Sequence, residues 1–414
     1  MNEAASLPRV LMLATEYEFN RVGGLGAHVR ALFPRLSRRA RVDLVLPRYD
    51  PAWPVLETVE PHGRIRRVTT QRPRDGADFV DQIWQMNDAL GAEIAGWIDS
   101  GEGFDLIHAH DWLVSFVAND LHRRFGIPLV ATLHATEWGR MSGNLSADIN
   151  QRIHRAESYL ASHADAIIAC SHFMRNEIIR ELGAEAERVV VIANGVQTEA
   201  YAGLRRQREE LAAFRAQWAG ADEALIFNVG RLVWEKGADL LVEAMPTILR
   251  EFPGARVVIA GRGSLLPDLQ AAIARLGLAA HVHLAGFIDD ATRNRLYAVA
   301  DVAVFPSRYE PFGIVALEAM AAGTPVVVAA GSGLGEVVAP GETGLCVAPG
   351  QPQALAEGLL EVLRYPEAAS ARALQAQAAV RHDFNWDHIA DLTLACYGRV
   401  LGEGVRGEAW GVRG

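Results

Sequence analysis

The segment from Ser307 to Pro325, with the strands that flank it, constrains this chain more than any other. Asp301-Val-Ala-Val-Phe305 is short, apolar and β-branched without polar alternation, which predicts a strand covered on both faces. Ser307-Arg-Tyr-Glu-Pro-Phe-Gly313 reads as a loop. Pro311 should end it, because the residue before a proline is pushed away from helical angles. From about Gly313, Ile314, Leu317, Glu318 and Ala321 recur at the 3.6-residue period. Gly323 then stops the helix, and Pro325-Val-Val-Val-Ala329 begins the next strand.

A strand that feeds a helix through a short glycine-bearing loop leaves unpaired N–H groups at the helix start. That end carries roughly half a positive charge and is a natural seat for phosphate. Glu310 stands above the strand end, where ligands gather in open parallel sheets, and Glu318 is a lone acid on an otherwise apolar helix. A capping loop with a solvated glutamate would account for the same residues. Two carboxylates beside a phosphate seat also suit the hydroxyls of a nucleotide sugar.

With 414 residues the chain exceeds a single core and should form two domains. Half of its residues are hydrophobic and 22% are charged, as in a globular protein with ample core. A net charge of −10 argues against general binding to nucleic acid or to an anionic membrane, since either needs a basic face. Cys170, Cys346 and Cys396 have no metal-ligand spacing and no even framework, which fits a reducing cytoplasm. The apolar run Val10–Ala14 is too short for a signal or a membrane span.

The chain opens as a doubly wound α/β domain would. Arg9–Ala14 is a strand, followed by Glu16, the loop Arg21-Val-Gly-Gly-Leu-Gly26, a helix from about Ala27 to Ser37 and a strand over Val42–Leu46. Adjacent glycines let the backbone approach a ligand, although a tight strand-to-helix turn would also use them. Residues 51–100 read poorly. Arg64, Arg66, Arg67, Arg72 and Arg74 crowd there, as a solvated hairpin or, alternatively, as a contact for an anionic acceptor. Phe104–His108 is a third strand, running into His108-Ala-His110-Asp111-Trp112, and Val130–His134 is a fourth, followed by Ala-Thr-Glu137-Trp-Gly. Two strands ending in histidine, each with a nearby carboxylate, point to a polar cleft. Asp165–Ser171 and Val189–Ile192 are further strands with a helix between them, and Asn194-Gly195-Val196 is the closing turn of the domain.

The amphipathic helix Arg205–Trp218 leads into a second domain on the same plan. The strand Ala224–Val229 precedes Gly230-Arg231-Leu-Val-Trp-Glu-Lys236-Gly237 and the helix Ala238–Glu251. Arg231 and Lys236 thus lie between a strand end and a helix start, where a diphosphate would sit; surface ion pairs are the plainer alternative. Val257–Ala260 is followed by the glycine turn Gly261-Arg262-Gly263, and His281–Gly286 by Phe287. Asp289-Asp290 reads as a helix N-cap, not a metal site. Gly331–Glu336 is another glycine turn into a helix, and Gly344–Val347 a last strand. The expected domains are residues 1–197 and 198–384, with a final helix over about 385–401 packing back on the first and a Gly-rich tail over 402–414.

Gly230-Arg231-x4-Lys236-Gly237, together with Glu310 and Glu318 in E-P-F-G-x4-E-A-M-A-x-G-x-P-V, carry a family resemblance over nearly the whole chain. The chain resembles the retaining glycosyltransferases of the GT-B fold, family four, and the neighbouring bacterial glycogen synthases. The resemblance implies two Rossmann-like domains facing across a cleft, with the donor nucleotide mainly on the second. It implies Arg231 and Lys236 on the donor diphosphate, Glu318 on the ribose and Glu310 beside the transferred sugar. Backbone N–H groups of Gly313 and Ile314 and the turn at Arg262-Gly263 complete the donor site, the turn lying by the base. In the first domain it implies Gly23 and Gly24 near the phosphates and sugar, His134 at the sugar, and Asp111 and Glu16 toward the acceptor. Arg21-Val-Gly-Gly-Leu is similar to the K-x-G-G-L loop of glycogen synthases, with Arg for Lys, which keeps the charge and changes the geometry. H-A-H-D-W with L-H-A-T-E-W-G-R resembles short glycogen-synthase-like members, implying glucosyl transfer to an α-glucan with no metal or cofactor required. Rival expectations are a lipid or cell-surface glycan as acceptor, a sugar-nucleotide epimerase, and a glucan-binding protein without activity.

Overall fold

Short β-branched runs become the central strands of two sheets, because strands without polar alternation are stable only when helices cover both faces. The computed structural model describes residues 7–19, 24–76, 78–201, 203–204 and 208–402. Two units are distinct: one is built from residues up to Ala193 together with Trp386 onward, the other from Asn194–Asn385.

The first unit runs β1 (Arg9–Leu13), α1 (Gly24–Leu36), β2 (Arg41–Arg48), β3 (Leu56–Val59), β4 (Gly63–Thr69), α2 (Phe79–Asp99), β5 (Leu106–His110), α3 (Ser115–Phe125), β6 (Leu129–Leu133), α4 (Glu137–Arg140), α5 (Asp148–His163), β7 (Ala166–Ala169), α6 (His172–Leu182) and β8 (Val189–Val191). The sheet order is β3-β4-β2-β1-β5-β6-β7-β8, parallel apart from β3, which runs antiparallel to β4. Val10 and Met12 enter one core with α1, and the alternate residues Leu11 and Leu13, equally buried, serve the opposite face. Strand order reverses between β1 and β5, so the crevice for a ligand opens beyond their carboxyl ends.

The second unit runs α7 (Arg208–Arg215), β9 (Leu225–Val229), α8 (Ala238–Leu249), β10 (Arg256–Ala260), α9 (Leu266–Arg275), β11 (Val282–Gly286), α10 (Asp290–Val299), β12 (Val302–Phe305), α11 (Ile314–Ala322), β13 (Val326–Ala329), α12 (Leu334–Val337), β14 (Leu345–Val347), α13 (Pro352–Arg364) and α14 (Pro366–Asp383). Its sheet is wholly parallel in the order β11-β10-β9-β12-β13-β14, with the switch between β9 and β12. Helices α8, α9 and α13 share a core with one face of this sheet, while Tyr297 of α10 packs edge-on against Phe227 from the other. Asp289 caps α10 by accepting the Thr292 amide at 2.7 Å.

The last helix, α15 (Trp386–Val400), belongs to the first unit. Trp386, Ile389, Ala390, Cys396 and Tyr397 join the α1 core, and Arg35 and Arg38 of α1 pair with Asp387 at 3.3 and 3.1 Å. The Tyr397 hydroxyl lies 2.6 Å from His108 Nδ1, whose Nε2 lies 2.7 Å from Thr132 Oγ1.

The structure departs from the sequence reading in residues 51–110. The helix α2 fills the stretch that reads poorly, and β5 continues past His108 to His110, which places His108 inside the sheet. The arginine-rich segment is a hairpin, but not a solvated one. Arg66 and Arg67 are buried. Arg64 holds Asp43 in a two-pronged contact at 2.5 and 2.7 Å, Arg66 reaches Glu102 at 2.7 Å, Arg9 joins both acids, and Arg67 pairs with Glu57. Arg72 and Arg74 alone remain exposed. Cations committed in this way hold the edge of the sheet and are not open to an anionic acceptor.

Burial opposes ionisation of Glu102, but the Arg66 and Arg9 guanidinium groups overcome it and pull the carboxyl down from 4.5 to about 2. A depressed acid contributes stability that is complete above the unfolded value and fades as pH falls toward the folded one. Urea midpoints measured from pH 5 to pH 2 should therefore fall more steeply for the wild type than for Glu102→Gln; parallel curves would remove this role. Tyr397→Phe leaves a buried histidine nitrogen unpaired and should cost about 1–3 kcal/mol in denaturant unfolding. An unchanged midpoint would show that the α15 contact contributes nothing there.

Candidate active site

In the second unit, charged side chains gather at the switch between β9 and β12. Beyond β9 the chain makes a single 3₁₀ turn over Trp234–Lys236 before α8. Beyond β12 it follows residues 306–313 into α11. The two loops are clasped together, since Arg308 and Tyr309 donate their amides to Glu235 O at 2.8 and 3.2 Å. The clasp brings Lys236 Nζ within 2.6 Å of Glu310 Oε2, with only 22% and 12% of the two side chains exposed. Arg231 pairs more loosely with Glu235 at 3.2 Å and keeps 53% of its side chain exposed, so its guanidinium can still meet a ligand.

Backbone packing fixes the frame around these charges. Gly313, the N-cap of α11, has φ 100°, and a Cβ there would come 2.3 Å from Leu334 Cδ2. Gly263 lies so close to the β9 loop that a Cβ would meet Leu232 O at 2.1 Å. Ile314 opens α11, whose free N–H groups face the strand ends. Arg262 is exposed and stands over the Phe287 ring at 5.5 Å.

Glu318 is not a solvated acid. Arg293 Nη2 lies 3.1 Å from its Oε1, and the Tyr297 hydroxyl lies 3.5 Å from Oε2 and 3.1 Å from Val315 O. Burial works against the Arg293 charge, but Glu318 and the neighbouring Tyr297, Tyr201 and Asp290 hold it firmly protonated. Burial also raises Tyr297 and Tyr201 far above the usual phenol range, with the Glu318 charge adding to it. The carboxylate is therefore oriented before any ligand arrives.

At the carboxyl edge of the first unit, Glu16 follows β1, Asp111 follows β5 and His134 follows β6. Asp111 has φ 62°, a conformation that costs a non-glycine residue energy and marks sites where backbone strain is retained. Its carboxylate accepts the His134 amide at 2.7 Å, and it is 6% exposed. The Asp111 carboxylate, expected to face an acceptor, is buried against the His134 amide. Burial raises its carboxyl to about 6, against the opposing influence of Arg140 and of the His134 amide. Burial, and then Arg140, lowers His134 to about 4, so the half-buried imidazole is neutral at physiological pH. Behind it Arg140 lies 3.5 Å from Glu137 and 3.7 Å from Glu157, whose carboxyl burial raises to about 8.

Of the residues singled out in the sequence, Arg231, Lys236, Arg262, Gly263, Glu310, Gly313, Ile314 and Glu318 share one sheet edge in the second unit, and Asp111 and His134 share one in the first. Gly24 is the first residue of α1, while Gly23 lies outside the described residues with Arg21 and Val22. Sequence reasoning missed Arg293, which sits where an i,i+3 partner of Asp290 on a predicted helix would have shown it. It also missed His28, for which no local signal exists. His28 contacts His134 and His110, and the donor nitrogens of the three lie within 4.8 Å of one another.

Comparison with known proteins bears on family and fold. Residues 22–200 match the family described as Glycosyltransferase Family 4, and residues 212–379 match Glycosyl transferases group 1. Glycogen synthase of Mycobacterium tuberculosis is 35% identical over 401 residues, spanning 94% of this chain and 94% of that protein. The structure of sucrose-phosphate synthase from Thermosynechococcus elongatus is similar with a TM-score of 0.79 at 26% identity, covering 96% of this chain and 100% of that one. The catalytic domain of starch synthase IV from Arabidopsis thaliana, bound to ADP and acarbose, has the same fold (TM-score 0.76, 20% identity, 96% and 99% covered). Two parallel Rossmann-like sheets, the charged switch point and the relatedness across the full length lead to one conclusion: the chain is a glycosyltransferase enzyme of family four, with the GT-B fold.

Proposed function

We propose that this enzyme moves a hexosyl unit, glucose foremost, from a nucleoside diphosphate sugar to a hydroxyl of an α-glucan, with retention of the α configuration. The observation that carries the proposal is the cation pair Arg231 and Lys236 beside the α11 N-terminus, with Glu310 2.6 Å from Lys236. Cations and helix N–H groups converging on one strand edge suit a pyrophosphate, and acids beside them suit sugar hydroxyls. The named glycogen synthase relative, matched over 94% of both chains, supports glucan as acceptor. Among the described residues no helix is long and apolar enough to cross a membrane.

In this mechanism the bond between the anomeric carbon and the β-phosphate oxygen breaks while the acceptor oxygen bonds the same carbon from the same face. The departing phosphate takes the acceptor proton. Arg231, Lys236 and the amides of Gly313 and Ile314 stabilise the charge that develops on it. Glu318, held by Arg293, receives the ribose hydroxyls; Arg262 and Gly263 lie by the base. Glu310 and the neutral His134 serve the transferred sugar, and Asp111 holds His134 in place. No residue is assigned as a covalent nucleophile, and no metal is required. A lipid or cell-surface acceptor is the less favoured reading: of the arginines that would meet it, Arg64, Arg66 and Arg67 are paired with acids of their own unit, which leaves Arg72 and Arg74 exposed.

Incubation with ADP-glucose, UDP-glucose and other nucleotide sugars, with and without a maltooligosaccharide, tests the reading. Acceptor-dependent release of nucleoside diphosphate with lengthening of the glucan is expected. An isomerised sugar released from donor alone would favour an epimerase, and no release under any condition would favour a binding protein. Lys236→Ala should lower turnover by about 10²–10³-fold with the melting temperature preserved; a normal rate in the folded variant would overturn the diphosphate assignment.

A further inference from the structure

The first unit holds more imidazole than sugar transfer needs. His28 lies on the second turn of α1, His110 ends β5 and His134 follows β6. Their donor nitrogens fall within 4.8 Å of one another, and His110 Nδ1 stands 3.3 Å from His134 Nε2. Two nitrogens that share a tetrahedral zinc ion at about 2.0–2.1 Å lie about 3.3 Å apart. The pair is thus already at the ligand-to-ligand spacing, and the His28 ring stands edge-on to His134 with centroids 4.7 Å apart.

A plain hydrogen bond between two neutral imidazoles would explain that one distance, but not the convergence of a third ring. His108 sits beside His110 with centroids 4.2 Å apart, yet both its nitrogens are engaged by Tyr397 and Thr132, which leaves a trio and not a quartet. His110 Nε2 has no hydrogen-bond partner among the described residues, so nothing fixes its tautomer: the proton can reside on Nε2 while Nδ1 offers a lone pair. Of the three, only His134 is partly open to solvent, and His28 and His110 are buried. Arg140 opposes a cation here, while the buried Asp111, bonded to the His134 amide, offsets it.

We propose that His28, His110 and His134 form a three-imidazole site for a divalent transition ion, zinc foremost, and that its occupancy inhibits the enzyme by withdrawing His134. The site rests on geometry alone. The inhibition rests on the role given to His134 in sugar transfer, and the two are separable by experiment.

Chelator-stripped full-length protein is titrated with Co²⁺. One equivalent should bind with the visible d–d absorption of a four-coordinate ion, and Zn²⁺ should displace it. His28→Gln and His110→Gln, each checked by circular dichroism and melting, should each weaken Co²⁺ binding by at least about tenfold. X-ray absorption of the zinc-loaded wild type, which needs no variant, should show three imidazoles. Absence of saturable Co²⁺ binding, fewer than three imidazoles, or wild-type affinity in the folded variants would overturn the site. Donor cleavage should fall in step with zinc occupancy and return on chelation. Stoichiometric binding without loss of activity would overturn the inhibition and the role of His134 together, and leave the site standing.

Discussion

The charged edge of the second unit depends on one ion pair, Lys236 with Glu310, set across the switch between β9 and β12. A doubly wound sheet can open a crevice only where successive connections depart to opposite faces, and these two residues come from the two strands that flank that point. Largely removed from water, each charge would be costly alone, and their contact offsets part of that cost. Backbone packed against Gly263 and the positive φ of Gly313 fix the two turns beside it.

The first unit uses the same topology with opposite chemistry. Its switch lies between β1 and β5, and the edge there is furnished with neutral imidazoles and buried acids. Burial dominates the protonation of each, pushing His134 and His110 down and Asp111 and Glu157 up. Rings that stay uncharged can lie against a sugar or against one another without repulsion, which four protonated histidines so close together could not.

Much of this was legible in the sequence. The strand-loop-helix-strand run through β12, α11 and β13 is spelled by β-branched residues and glycine punctuation, and both its acids lie within it. Arg231 and Lys236 were readable for the same reason: local pattern places them between a strand and a helix. What escaped was set by partners distant in the chain. Arg64 and Arg66 look like surface charges until Asp43 and Glu102 arrive from other elements to bury them. His28 is a lone histidine on a helix, and only the fold brings His110 and His134 beside it. The helix α2 does carry a helical pattern in Val80, Ile83, Met86, Leu90 and Ile94, all buried, but Trp84, exposed at 49%, and the polar residues among them blur it.

Because α15 completes the core around α1, the first unit is sewn from two stretches nearly two hundred residues apart in the chain. During synthesis the ribosome releases its sheet long before Trp386 and Tyr397 exist to cover it, whereas the second unit is contiguous and has all its strands once β14 emerges. The unit that translation begins is therefore the one whose last part is made latest. Until α15 is made, the face of α1 that Trp386 and Tyr397 cover lacks its partner, so the final helix closes what the first strand opens.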